Sequence, residues 1–247
     1  MRILLITALL PLAACHASWD HNGSHGGQIA EGKGTPGART YDATGFTGVD
    51  LRGPDDIQVK TADAFSVRAE GDSKILDQLD VRVVNGVLKI GRKDGEHGWL
   101  WGNHSDDDGV KIYVTLPHLN SASVAGSGNL TADKGEGDFK AALAGSGDLT
   151  VSGLQAGAVD LDLAGSGNLK VAGTATSFKA GIAGPGDIDA KGMPVTSAKV
   201  SIAGSGNVTG TVNGDADVSL MGSGDADLGG GAKCKVSSMG SGEARCS

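Results

Sequence analysis

The stretch Ala125-Gly126-Ser127-Gly128-Asn129-Leu130 is the first of seven similar phrases in the C-terminal half of the chain. Their leading glycines follow one another in steps of 18 to 20 residues. A short phrase at nearly constant spacing is typical of a protein built from stacked structural repeats. We therefore expect this repeat, rather than one large globular core, to decide the fold.

Alternating apolar residues flank each phrase. Phe139 and Leu143 precede the second phrase, and Leu149 and Val151 follow it. Side chains alternate between the two faces of a strand, so these residues share one face. Two short strands and two turns in 18–20 residues make one coil of a solenoid. We predict an all-β, single-stranded right-handed parallel β-helix over residues 121–247.

The phrases supply the corners of the predicted coils. Glycine permits positive φ and close approach of backbones, and Asn or Asp can bond nearby amides. Only Glu243, in the last phrase, departs from Asn or Asp, and Pro185 replaces the serine in the fourth. We expect a ladder of side chains along one edge, with structural corners at Gly126, Asn129, Gly145, Asp148, Gly165, Asn168, Gly184, Asp187, Gly204, Asn207, Gly222 and Asp225.

Residues 41–120 form a β-rich region before the repeat, with one short helix predicted over Asp72–Leu79. Asn85-Gly86 between two alternating stretches predicts a hairpin, because this pair suits a left-handed turn. The N-terminal residues 1–15 are predicted to be a signal peptide. Leu12-Ala13-Ala14-Cys15 resembles the bacterial lipobox, which implies a lipid on Cys15; ordinary secretion with cleavage further on is the alternative.

Residues 16–40 are polar and rich in Gly and Ser, which predicts a flexible tether between the lipid and the domain. The expected location is the cell envelope, bound to a membrane through the lipid, and the outer membrane in a Gram-negative source. The alternatives are a periplasmic or a secreted protein. The net charge of −8 leaves no basic footprint for a nucleic acid, and no motif calls for a cofactor.

Two cysteines lie close together at the C-terminal end. Cys234 and Cys246 align with inward positions of the preceding repeats, so both are expected to face the interior of the final coil. An oxidising compartment allows a disulfide there, which would cap the end of the solenoid. Two buried free thiols are the alternative.

Residues 94–109 interrupt the β-rich region with aromatic, histidine and acidic side chains. One hypothesis is a binding loop that stacks on a sugar ring or a partner, or holds a cation. The alternative, which we favour, is a hairpin insertion whose tryptophans fold back on the domain. The candidate binding residues are Trp99, Trp101, His104, Asp106 and Asp108.

The chain resembles a bacterial family described as putative auto-transporter adhesin, head GIN domain, over about residues 41–247. The matching elements are the stretches Phe46–Ile57 and Asn85–Ile90, the strand end Val114–Pro117 and the Gly-Ser-Gly-Asn/Asp corners. The resemblance implies an exported, often lipid-anchored β-solenoid with no established catalytic residues to carry over.

Three functions compete at this point. A non-catalytic envelope protein with an adhesin-like or interaction surface, facing a polysaccharide or a protein, is favoured. A polysaccharide-active β-helix enzyme needs convergent acids, and here the acids are evenly spaced. A calcium-binding solenoid is suggested by Asp187 and Asp189 and by Asp225 and Asp227, although most corners lack the second Asp.

Overall fold

The computed structural model describes residues 27–93 and 109–247, and these are almost entirely β-strand. One short helix, α1 (Ser73–Leu76), lies among twenty strands. In chain order the strands are β1 (Gln28–Ile29), β2 (Gly32–Thr35), β3 (Ala38–Tyr41), β4 (Gly48–Arg52), β5 (Asp56–Thr61), β6 (Ser66–Glu70), β7 (Leu79–Val84), β8 (Val87–Arg92), β9 (Lys111–Leu116), β10 (Ser121–Gly126), β11 (Asn129–Ala132), β12 (Gly135–Gly145), β13 (Asp148–Gly165), β14 (Asn168–Thr174), β15 (Ser177–Gly184), β16 (Asp187–Gly204), β17 (Val208–Gly222), β18 (Ala226–Gly229), β19 (Lys233–Gly240) and β20 (Ala244–Cys246).

The repeats stack in parallel, and equivalent residues lie opposite one another. Strand β10 pairs with β12 so that Val124 meets Leu143 and Gly126 meets Gly145. The same register continues through every later coil to β19. The chain is therefore a parallel β-solenoid, as the repeat predicts.

The interior consists of columns of apolar side chains. The strands on each side of the coil contribute one layer of inward-facing residues. Leu161, Val171 and Ile188 are fully buried, and Phe139 and Phe178 are buried as well. Each such side chain stabilises the fold by about 1.5–3 kcal/mol when it leaves water. Because every coil adds only a few of them, a coil is stable only between its neighbours.

The region before the repeat joins the same solenoid, but out of chain order. Strand β10 pairs on its other side with β4, and β4 pairs in turn with β8. Strands β11, β5 and β9 are stacked likewise. The coil of β4 and β5 thus lies between the repeats and the coil of β8 and β9. Its corner, residues 53–56, is a further copy of the corner that the sequence pattern did not reveal.

The N-terminal end of the solenoid is closed by antiparallel strands. Strand β7 pairs with β8 through the Asn85–Gly86 turn, where Asn85 has φ of 51°, and β6 pairs with β9. Strands β3, β2 and β1 extend these two sheets. Helix α1 begins after Asp72, whose side chain accepts a hydrogen bond from the N–H of Lys74 at 2.8 Å. The predicted hairpin is confirmed, and the helix is shorter than expected.

The tether predicted over residues 16–40 is wrong from residue 27 onward. Residues 28–29, 32–35 and 38–41 are strands, and Ala30 and Tyr41 are buried. Their polar, glycine-rich composition gave no signal because these strands gain their order from pairing with β6 and β7 rather than from an apolar pattern of their own. Residues 16–26 and the predicted signal peptide lie outside the described part of the chain.

The predicted ladder of side chains runs along the corner edge, with one further member, Asp56. The N–H and Nδ2 of Asn129 donate to Oδ1 of Asp56 at 3.2 and 2.9 Å. Oδ1 of Asn129 then accepts from the N–H of Asp148 at 3.0 Å. The same bonds link later coils up to Glu243. One step differs, because the N–H of Asp187 donates to the carbonyl of Gly167 instead.

Asp and Asn alternate strictly from Asp56 to Asp225 along this ladder. Adjacent strands in a sheet are about 4.8 Å apart, so two stacked carboxylates would repel each other. An intervening Asn removes that repulsion and offers an Nδ2–H donor to the carboxylate of the preceding coil. The alternation is the arrangement that gives each carboxylate a donor and keeps like charges two coils apart.

Pro185 fits its corner because the following glycine still bonds the preceding coil. In most corners the N–H groups of the serine and of the next glycine both donate to one glycine carbonyl, as Ser166 and Gly167 do to Gly145 at 2.9 and 3.2 Å. Proline has no N–H to offer. In the fourth corner the N–H of Gly186 alone donates to the carbonyl of Gly165, at 3.0 Å. The serine amide is therefore dispensable there.

Asp55 is the one fully buried charged side chain among the described residues. Its carboxylate accepts from Nε and a terminal nitrogen of Arg92 at 3.1 and 2.7 Å, and from the N–H of Val110 at 3.0 Å. Arg92 ends β8 and Val110 precedes β9. Asp55 therefore fastens together the two chain segments that flank residues 94–108.

We expect Asp55→Asn to lower the free energy of unfolding by about 3 kcal/mol, because it leaves the guanidinium of Arg92 without its buried counter-charge. Urea denaturation of the variant measures this. Asp42→Asn is the matched control: its carboxylate is 96% exposed beside Lys33, and we expect a change below about 0.5 kcal/mol. Equal effects of the two substitutions would contradict the role given to Asp55.

We expect Asn168→Asp to destabilise the protein by about 1–2 kcal/mol at pH 7, because it places three successive carboxylates in the ladder and removes a donor to Asp148. The repulsion exists only while the carboxylates are ionised, so the loss is present at neutral pH and shrinks as they become protonated on acidification. Asp187→Asn, the opposite exchange, should have the smaller effect. The midpoints of urea denaturation, measured between pH 3 and 7, test this. A loss of stability that does not depend on pH would contradict the explanation.

Candidate functional site

One regular surface is the outward side of the sheet that contains β10, β12, β15 and β19 with the C-terminal halves of β13, β16 and β17. We call it the long face. Its residues stand in three columns because the coils are in register. Next to the corners lies a column of exposed alanines that ends in two methionines: Ala125, Ala144, Ala164, Ala183, Ala203, Met221 and Met239.

The other two columns of the long face are polar. The middle column is made of small side chains and one carboxylate: Ser123, Ala142, Asp162, Gly181, Ser201, Ser219 and Ser237. The outer column carries charges of both signs: Lys140, Asp160, Lys179, Lys199, Asp217 and Lys235. The long face thus changes from smooth and apolar beside the corners to charged at its far side.

Two shallow depressions follow this division. One, of about 460 Å³, is lined by Ala144, Ala164 and Ala183 with neighbouring small residues. The other, of about 650 Å³, is lined by charged residues that include Asp160, Lys179, Lys199 and Asp217. None of the ion pairs within 4.0 Å in the described part of the chain involves these four residues. Their charges are free to meet a ligand.

The residues suggested for calcium already serve contacts between coils. Oδ1 of Asp187 accepts from the N–H and Nδ2 of Asn207 at 2.8 and 2.9 Å. Asp189 accepts from the N–H of Lys191 at 3.1 Å and lies 3.4 Å from Nζ of Lys170. Burial alone would raise the pKa of Asp189, but these two donors hold it below its ordinary value. Residues 27–93 and 109–247 contain no group of three or more His, Cys, Asp or Glu that could hold a metal ion.

One histidine contacts a carboxylate outside the corners. Nδ1 of His118 is bonded to Oε1 of Glu136, and Nζ of Lys134 lies 3.5 Å from Oε2. The bond from His118, followed by the charges of His118 and Lys134, lowers the pKa of Glu136. A carboxylate held ionised in this way is suited to an ion pair rather than to donating a proton.

The predicted binding residues Trp99, Trp101, His104, Asp106 and Asp108 lie outside the described residues, so the binding-loop hypothesis stays a prediction. The segments beside them are placed: Arg92 and Val110 meet at Asp55. Strands β8 and β9 are stacked on β4 and β5, the two strands that the corner at residues 53–56 connects.

The two C-terminal cysteines are brought together as expected. Cys234 and Cys246 are joined in the structure, with their Cα atoms 6.2 Å apart. Cys234 packs against the core, and both cysteines are partly rather than fully buried because no further strand covers them in the described residues. The predicted lipid-bearing Cys15 lies outside the described residues. No helix in the described ranges is long and apolar enough to cross a membrane.

Sequence reasoning missed the long face as a candidate surface. It identified the outward positions, such as Asp160 and Lys179, but directed the search for binding residues to 94–109. The charges of both signs in the outer column, and the alanine column beside it, were the available signals.

Solved structures with the same fold come from Bacteroides and Parabacteroides species. A putative adhesin from Bacteroides fragilis superposes with a TM-score of 0.72 at 18% identity, over 86% of this chain and 97% of that one. A putative lipid binding protein from Parabacteroides distasonis gives 0.67 at 24% identity, over 87% and 98%. A second adhesin of that species gives 0.58 at 21%, over 87% and 99%. At these identities the likeness shows the fold alone.

No curated protein matches the chain at a significant level. A family profile does, and it spans residues 45–232, well over half of the sequence. This stretch runs from the first solenoid strand, β4, nearly to β19. The chain belongs to the family described as putative auto-transporter adhesin, head GIN domain.

Proposed function

We propose that this protein is a non-catalytic, adhesin-like module of the cell envelope, and that the long face is its binding surface. The observation that carries the proposal is the outer column of the long face, where lysines and aspartates stand in register without ion-pair partners within 4.0 Å. Such charges make association faster and more specific. Removing them therefore weakens the binding of a polar partner.

The shape of the long face suits an extended partner. Its columns repeat at about the 4.8 Å spacing of sheet strands, over the whole stack of coils. A surface of this kind offers the same contacts many times, which multiplies weak contacts into useful avidity. The partner that fits is an envelope or cell-surface polymer with charged groups, a polysaccharide or a protein.

The family and the lipobox-like sequence support export to the envelope. Cys15 would carry the lipid, and residues 16–26 would lead to the strands that cap the solenoid. An oxidising compartment would also maintain the bond between Cys234 and Cys246. The lipid would hold the protein on a membrane while the long face stays free.

Binding of the purified protein to intact bacterial envelopes tests the surface. We expect Lys179→Glu combined with Lys199→Glu to weaken binding about tenfold, since it reverses two adjacent charges of the outer column. Lys60→Glu combined with Lys74→Glu makes the same change of net charge elsewhere and should leave binding unaltered. The proposal would be contradicted if the two double variants weakened binding equally. It would also be contradicted if the wild-type protein did not bind the envelopes at all.

The anchor has its own test. We expect Cys15→Ala to move the protein from the membrane fraction to the soluble fraction and to abolish incorporation of labelled fatty acid, because the thiol that carries the lipid is gone. Cys234→Ala is the control and should keep both the label and the membrane location. A Cys15→Ala protein that remains in the membrane fraction would contradict a lipid anchor at this residue.

A further inference from the structure

The C-terminal end of the solenoid is an open sheet edge. Within the described residues, β19 pairs with β17 and β20 pairs with β18, and neither has a strand on its other side. Two large hydrophobic side chains of β19 are exposed, Val236 at 47% and Met239 at 73%. Val236 lies opposite the buried Val218 at an inward position, so its exposure comes from the open edge. An edge of this length is a template for pairing with another chain.

The contacts of the last coil fix which residues lie across from one another. Cys234 in β19 is bonded to Cys246 in β20. Nearer the corner, Oγ of Ser238 donates to the carbonyl of Gly242 at 3.3 Å. Val236 lies midway between the first pair and the second on β19, and Ala244 lies midway on β20. A line from Val236 to Ala244 therefore divides the end coil into two halves.

We propose that two copies of this chain join end to end, with a two-fold axis along the line from Val236 to Ala244. Each β19 then runs antiparallel to the partner's β19, with Val236 opposite its own copy, and each β20 likewise centres on Ala244. Residues directly opposite in an antiparallel pair must point to the same face. This axis meets that condition in both strands at once.

The charges of the edge fit this arrangement. With Ala244 on the axis, Glu243 lies opposite Arg245 of the partner subunit, and Arg245 lies opposite Glu243 of the partner subunit. In the single chain these two side chains form an ion pair at 3.5 Å, and both are about two-thirds exposed. Because an exposed ion pair contributes little stability, they can exchange partners at a small cost in free energy. In β19, Lys235 lies opposite a serine and Lys233 opposite a methionine. No like charges meet directly.

The two ends of the molecule permit two-fold pairing but not a head-to-tail stack. A head-to-tail stack would need a free edge at the N-terminal end, but β7 and β6 cover β8 and β9 there with antiparallel strands. The outermost strands at that end, β1 and β2, have two and four residues. An isologous contact uses the open edge of both copies and closes the assembly as a dimer.

Sedimentation velocity of the full chain, purified in a mild detergent, tests the proposal. We expect the wild type to form dimers. Glu243→Arg and Arg245→Glu should each weaken dimerisation about tenfold, because each puts like charges opposite each other. Mixing the two variants should restore dimers, since an edge with two arginines then meets an edge with two glutamates.

Rescue by mixing separates an intermolecular contact from a folding defect, because neither chain changes when the other is added. Val236→Lys should abolish dimers, and Ile29→Lys, at the other end with 62% exposure, should not. A wild type that stays monomeric at about 100 μM overturns the proposal, and so does a mixture no heavier than its components.

Discussion

Close backbone contact at the corner edge is the constraint on which the structure depends. A Cβ added to Gly145 would lie 2.2 Å from the carbonyl oxygen of Gly126, and one added to Gly147 would lie 1.9 Å from that of Gly128. No side chain fits at either distance. The two glycines of each phrase therefore set how near one coil comes to the next, and the amides of the phrase bond the preceding coil at that distance.

Once the coils are in register, each residue meets its own equivalent above and below. Apolar columns gain from this, since Leu149 packs on Leu169 and Val151 packs on Val171. Charged columns do not, because like charges would repeat every 4.8 Å or so. The corner ladder avoids this repulsion by alternating Asp with Asn. The outer column of the long face mixes lysines with aspartates, although Lys179 and Lys199 are neighbours. Register thus explains both the core and the order of Asp and Asn along the ladder.

The sequence predicts the structural elements that recur in each repeat. It does not predict the elements that lie outside the repeat. The corner glycines, the inward columns and the position of Cys234 follow from spacing alone. The corner at residues 53–56 lacks the Gly-Ser-Gly phrase, and its coil lies between two others in space but not in sequence, so no periodicity could reveal it. The strands of residues 28–41 are stabilised by partners distant in sequence, which a local composition cannot show. The long face was visible as outward positions, yet only the register turns them into one surface.

In a stack of coils, every strand has a neighbour on both sides except at the two ends. The two ends of this solenoid differ in structure. At the N-terminal end the strands reverse direction, shorten and close the interior beneath α1 and Tyr41. At the C-terminal end the bond between Cys234 and Cys246 holds the last coil together but leaves Val236 half-exposed and the backbone of β19 unpaired on one side. A covalent link can prevent fraying, but it cannot remove apolar surface from water or supply hydrogen bonds to an edge. The unsatisfied requirement at that end is for a strand, and a second copy of the same edge supplies one.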